Sequence, residues 1–201
     1  MTETLSTEEI DEITGTKTMR LYYPDKKTIH IECVYTNGTK NGYSRVYYPN
    51  GALDNEVPLQ NDMPHGKWIY YYEDGKTIKT EIEFCHGKSN GMHIGYHPNG
   101  ALYHKVALKN GIPQGTELYY YEDGITVKRM LDYQDDERNG IEKCYRQDGT
   151  LETEVQLKGG KWHGHAKYYF EDGKTIKCVC DYEEGVKISE HTYLNQSQGF
   201  S

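Results

Sequence analysis

Histidines, cysteines and clustered aromatic residues are the side chains of this 201-residue chain best able to do chemistry. His163 and His165 stand two apart and His93 and His97 four apart, so on an extended strand each pair shares a face. Imidazoles so placed are the start of a metal site. Yet His65 and His163 each hold the position before a glycine that is otherwise filled by Asn or Gln, and no Cys-x-x-Cys or His-Glu-x-x-His accompanies them. Cys178 and Cys180 share a strand face, and Cys33 and Cys180 occupy equivalent apolar positions, as small buried hydrophobes do. The sequence therefore predicts neither metal nor other cofactor. Phosphate-cradling glycine loops and Gly-x-Ser-x-Gly elbows are missing as well, and the Asp-Gly pairs recur with turns, so no catalytic residue is expected.

The aromatic residues carry more information. Trp68, Tyr70 and Tyr72, then Tyr119 and Tyr121, then Tyr168 and Phe170 form three groups 49 residues apart. Lys79, Lys128 and Lys177 lie at one fixed distance behind each group. Aromatic anchors with basic neighbours are the currency of protein-binding surfaces. The competing reading is a second packed layer, with lysine stems lying over the rings.

What must position these residues is a repeat. Segments led by Gly42, Gly66, Gly91, Gly115, Gly140 and Gly164 recur at spacings of 24, 25, 24, 25 and 24 residues. Each closes on a second glycine: Gly51, Gly75, Gly100, Gly124, Gly149 or Gly173. Four residues before each closing glycine stands a tyrosine (Tyr47, Tyr71, Tyr96, Tyr120, Tyr145, Tyr169), and Tyr22 fills that place in a first unit whose turn carries Lys26. A fixed period of this length marks an array.

Downstream apolar residues lie two, six and eight past glycine in one kind of unit (Leu53, Val57, Leu59) and three, seven and nine past it in the other (Ile78, Ile82, Phe84). Alternation on both sides of an Asx-Gly turn is a β-hairpin. The extra residue in the longer loop offsets the shift in apolar spacing. That compensation predicts that the seven repeated tyrosines lie with the aliphatic residues on the packed face, in a structural role, and that Trp68, Tyr70 and their counterparts face away. The expected fold is all-β, an elongated single-layer antiparallel meander of tandem β-hairpins. Residues 17–187 would form seven hairpins, and the aromatic groups would recur on every fourth strand, about 19 Å apart. Residues 1–16 form an acidic leader with a capping-box pattern at Ser6-Thr7-Glu8-Glu9, expected to be a short helix or disordered. Within 188–201 an edge strand to residue 194 should precede a loose tail.

This pattern resembles the MORN-repeat variant seen in bacterial YwqK-type antitoxin-like proteins. The carrying segments are Pro64-His65-Gly66-Lys67-Trp68-Ile69-Tyr70-Tyr71-Tyr72-Glu73-Asp74-Gly75 and Tyr47-Tyr48-Pro49-Asn50-Gly51-Ala52-Leu53. The Tyr-x-Gly-x-Trp element of the ordinary MORN repeat is missing. The resemblance implies a non-enzymatic protein–protein interaction module, with antitoxin- or immunity-like neutralisation of a partner. A phospholipid-binding or membrane-associated scaffold is the alternative it also implies.

The net charge is −8, of which residues 1–14 hold −5, so the repeats are nearly balanced. Bulk charge thus argues against nucleic acid as a partner. With no basic start followed by an apolar run, no signal peptide or integral membrane segment is expected. An odd number of cysteines, five, points to a reducing cytoplasm. The sequence does not identify the protein partner or the oligomeric state.

Overall fold

The computed structural model describes residues 5–134 and 137–193, and all regular elements among them are β-strands. Two compact units divide the chain: one runs through Gly100 and also takes in Leu108–Gly111, the other comprises Ala101–Ala107 and the residues from Ile112 onward. In the first unit the strands are β1 (Ser6–Asp11), β2 (Thr16–Tyr22), β3 (Ile29–Thr36), β4 (Thr39–Tyr47), β5 (Leu53–Gln60), β6 (Met63–Pro64), β7 (Gly66–Tyr71), β8 (Ile78–Cys85) and β9 (Lys88–Tyr96). They pair antiparallel in sequence order, with β6 and β7 both lying along β5. The second unit begins with most of β10 (Leu102–Lys109). It continues through β11 (Ile112–Tyr120), β12 (Val127–Gln134), β13 (Glu137–Tyr145), β14 (Leu151–Lys158), β15 (Lys161–Tyr169), β16 (Ile176–Glu183) and β17 (Val186–Thr192). From β11 to β17 each strand pairs antiparallel with the next. The protein is an all-β antiparallel meander of hairpins.

The acidic leader is neither helix nor disordered between Ser6 and Asp11. Those residues add strand β1 to the edge of β2, with Glu8 and Glu9 paired to Lys17 and Arg20. The edge's open backbone groups outcompeted a capping box that had only Leu5, Ile10 and Ile13 to bury, and Ile10 and Ile13 stay exposed. At the other end β17 pairs with β16, and the expected tail, 195–201, lies outside the described residues.

One expectation about faces fails, for a local reason. In six hairpins the tyrosine before the turn does pair with the first aliphatic residue after it: Tyr22 with Ile29, Tyr47 with Leu53, Tyr71 with Ile78, Tyr120 with Val127, Tyr145 with Leu151 and Tyr169 with Ile176. Directly beyond that pair, every one of these hairpins has a β-bulge. The bulge leaves His30, Asp54, Lys79, Lys128, Glu152 and Lys177 unopposed, because one extra residue is inserted on the returning strand. Alternation counted through the turn is therefore off by one. Trp68 pairs with Ile82 and Tyr70 with Thr80, so these aromatics share the face of the aliphatic stripe, and Tyr71 lies on the other face. The same holds for Tyr168, paired with Cys178 beside Cys180, against Tyr169.

Each unit thus has two unlike faces. On one, the stripe Cys33, Val57, Val106, Leu131, Val155 and Cys180 is buried. On the other, the first unit carries a ladder of opposite charges. Arg20 bonds Glu32 at 2.7 Å, Arg45 bonds Glu56 at 3.2 Å, and the Tyr71 hydroxyl donates to Glu56 at 3.3 Å. The Tyr96 hydroxyl donates to Glu81 at 2.9 Å. Cross-strand pairs of this kind each contribute some tenths of a kcal/mol to about 1 kcal/mol.

Successive hairpins are locked at their turns. The Gly124 turn packs so closely on the preceding one that a Cβ there would sit 2.8 Å from the Leu102 amide nitrogen, whereas one at Gly149 would meet nothing within 4 Å. Both have positive φ, 69° and 84°. We predict that Gly149→Ala costs only the left-handed strain, about 1–2 kcal/mol, and that Gly124→Ala costs clearly more, as read by denaturant unfolding. Equal losses would show that the turn-on-turn contact contributes nothing.

Candidate functional site

The face that carries the aliphatic stripe is where the chemistry-bearing residues converge. Within each unit the central row alternates between the stripe and the residues two past the leading glycines: Ser44, Trp68 and His93 in the first, and Glu117, Glu142 and Ala166 in the second. The stripe positions are apolar in every hairpin, whereas the alternate positions vary from serine to tryptophan to glutamate. A scaffold repeats where it must and varies where it is used or merely tolerant.

In the first unit the variable row passes from Ser44 to the aromatic Trp68 and His93. Trp68 stacks on Tyr70 with ring centroids 5.2 Å apart, meets Phe84 at 5.6 Å, and donates its indole N–H to Asn55 Oδ1 at 3.2 Å. Asn55 is itself buried, so the polar tip of the indole is satisfied inside the layer.

In the second unit the row is ionic at Glu117 and Glu142, both buried, before it ends on Ala166. Glu117 and His104 are 5% and 7% exposed, and His104 Nε2 lies 2.8 Å from Glu117 Oε1. Tyr119 donates to the same oxygen at 3.0 Å and Tyr133 to Oε2 at 3.2 Å. Arg138 Nε donates in turn to the Tyr133 hydroxyl at 3.0 Å. Burial pushes the Glu117 carboxyl up, but the hydrogen bonds from His104 and the tyrosines outweigh it and hold the group below its usual range. Next along the row, Arg129 donates to Glu142 at 2.7 Å and lies 5.7 Å over the Tyr119 ring. Tyr119 is pushed up to about 12 by its own burial and then by Glu117, so it remains a donor. Over this floor Tyr103 stands edge-on to Tyr119 at 5.7 Å and is 43% exposed.

The expected binding residues divide into two groups. Trp68, Tyr70, Tyr119 and Tyr168 are half-buried members of the packed layer, not a separate surface behind it. Tyr72 and Tyr121 sit at the turns and tie hairpins together, donating their hydroxyls to the backbone carbonyls of Tyr96 and Tyr145 at 2.7 Å each. Tyr23 and Tyr48 do the same to Tyr47 and Tyr71, at 2.6 and 2.8 Å. Arg146 takes the tyrosine's place in the next hairpin, donating to the carbonyl of Tyr169 at 2.8 Å. Phe170 has no hydroxyl to continue the series, and its own carbonyl accepts from Arg146. The three lysines are the bulge residues, and Lys79 and Lys128 lie 5.9 and 5.5 Å over the rings of Tyr72 and Tyr121. Lys177 is exposed.

Sequence reasoning missed His104, Glu117, Tyr133, Arg129 and Glu142. A signal was present: Glu117 and Glu142 sit at the register position of Trp68, where an ordinary surface glutamate does not belong. The wrong phase across the bulge turned that position outward and hid it. A sulfur pair also lies on this face, Cys178 and Cys180 with Sγ atoms 3.8 Å apart and Glu190 within reach. Burial, and then Cys178, push the Cys180 thiol up, which disfavours the thiolate a metal requires.

Glu117→Ala would remove the acceptor that Tyr119, Tyr133 and His104 share, and we predict a loss of about 3 kcal/mol or more, with Glu117→Gln milder. Because the folded carboxyl lies below its ordinary value, its contribution is complete above about pH 4.3 and is lost as pH falls through the lowered value. Acid unfolding of Glu117→Gln should therefore be less steep than that of the parent; identical profiles would contradict the network.

Residues 40–61, 64–85 and 162–179 each match the MORN repeat variant, and each match covers one hairpin closed by an Asx-Gly turn. Comparison with curated proteins finds no match.

Proposed function

From a chain that carries MORN-variant repeats, we propose a non-enzymatic protein-binding module whose docking surface is the aromatic face of its hairpins. The observation that carries this reading is Tyr103, an exposed ring braced edge-on by Tyr119, with Arg129 over the same ring and the Glu117–His104 pair beneath. Tyrosine and arginine held rigid over a satisfied polar floor lose little entropy on contact, which is what interface hot spots require. Catalysis has less support, because Glu117, the best placed acid, is committed to three donors.

Tight capture of a partner's surface is also the physical act of an antitoxin- or immunity-like protein, and in that finer reading the partner is a protein toxin. The phospholipid-scaffold alternative is less favoured. Its natural contacts would be the bulge lysines, and Lys79 and Lys128 already lie over tyrosine rings on a chain of net charge −8. No helix among the described residues is long and apolar enough to cross a membrane.

We predict that Tyr103→Ser leaves the melting temperature within about 2 °C of the parent, as expected of an exposed site, and removes the partner recovered by the parent in a pull-down. Tyr43→Ser, on the charged face and equally exposed, should retain it. A Tyr103→Ser protein that recovers the same partner, or a parent that co-sediments with anionic vesicles and captures no protein, would overturn the proposal.

A further inference from the structure

Away from the aromatic face, three departures from the repeat meet at one turn. The connections between hairpins begin with a left-handed residue, and that residue is Asn37, Asn61 or Asn110 in three of them. In the β8–β9 connection it is His86, with φ of 48°. Asparagine is the better residue there, because its short side chain tolerates the left-handed region. The residue just before is polar in the other described connections (Thr36, Gln60, Lys109, Lys158, Glu183) and here is Cys85, an exposed thiol.

The third departure is His65. Its counterparts Asn41, Asn90 and Asn139 use their side-chain carbonyls to accept the amide of the left-handed residue in the following connection, Asn61, Asn110 and Gly159, at 2.7–2.9 Å. The repeat therefore brings position 65 against position 86 by design. Gly87 N–H fixes the approach by donating to the Pro64 carbonyl at 2.9 Å. Placing histidine at both positions brings their rings to 5.3 Å, with Cys85 Sγ 3.2 Å from His86 Nδ1. One donor atom from each of the three residues lies within 4.8 Å of the others.

We propose that His65, Cys85 and His86 form a zinc site, with three protein ligands and an open fourth position for water. One thiolate and two imidazoles are a borderline-soft set that suits a d10 cation without demanding a rigid geometry. Tetrahedral coordination with Zn–N near 2.0 Å and Zn–S near 2.3 Å places donors about 3.5 Å apart. The set closes to that spacing by side-chain rotation of about 1 Å, which exposed side chains on a pinned turn can make. Binding deprotonates the thiol and releases that proton to solvent. His65 and His86 line one shallow depression together with Gln60, Asn61 and Met63.

The test uses the full chain, with Co2+ as spectroscopic probe and Zn2+ measured by chelator competition. The variants His65→Asn and His86→Asn restore the residues the repeat uses elsewhere, so they keep the fold. One equivalent of Co2+ should give a thiolate-to-cobalt charge-transfer band that is unchanged in Cys178→Ala and gone in Cys85→Ser. Each histidine variant should bind Zn2+ about tenfold or more weakly, while melting without metal no lower than the parent. A parent without the band, a band that survives Cys85→Ser or vanishes in Cys178→Ala, or histidine variants that bind as the parent does would overturn the site.

Discussion

One inserted residue beside each turn decides where the other side chains of a hairpin point. The bulge at Lys79 lets Tyr71 pair with Ile78 while Trp68 pairs with Ile82, two statements that strict alternation cannot satisfy together. Because a bulge stands at the same place in each hairpin whose register is known, the phase shift is inherited by the unit as a whole. Aliphatic and aromatic residues are gathered on one face, and the tyrosine before the turn is sent to the other, among the carboxylates. Without the bulge Trp68 would pair with Glu81, and Ile82 would fall on the face of Tyr71.

A hairpin has no core of its own, so its stability must come from its neighbours. Here that coupling is chemical as well as apolar. The hydroxyl of the residue after the repeated tyrosine reaches a backbone carbonyl 23 or 24 residues on, and at the far end of the strand a backbone amide donates to a carbonyl across the connection. For Tyr48, burial first and then Asp54 push the hydroxyl up to about 12, so it stays protonated and able to donate. With both strand ends clamped, the middle of the row is free to vary, and it varies from Ser44 through Trp68 to Glu117.

How much of this was legible follows from the range of each interaction. Hairpins, turn partners and the pairing of Tyr71 with Ile78 are local, and glycine and Asx positions specify them within a few residues. The all-β meander is their direct consequence. Face assignment required the conformation of a single residue, Lys79 or Asp54, whose side chain carries no mark of a bulge. His104 and Glu117 are 13 residues apart and meet only across strands whose phase that bulge sets. The leader fails for a related reason: a helix-start pattern is a local preference, and the open edge of β2 is not visible from it.

The central claim, that the aromatic and aliphatic side chains share a face while the repeated tyrosine does not, is tested most directly by side-chain nuclear Overhauser effects in the parent protein. The account predicts contacts from the Trp68 indole to the Ile82 methyls, and from the Tyr71 ring to the Glu56 methylenes. Contacts between the Tyr71 ring and the Ile82 methyls, with the Trp68 indole silent toward Ile82, would contradict it.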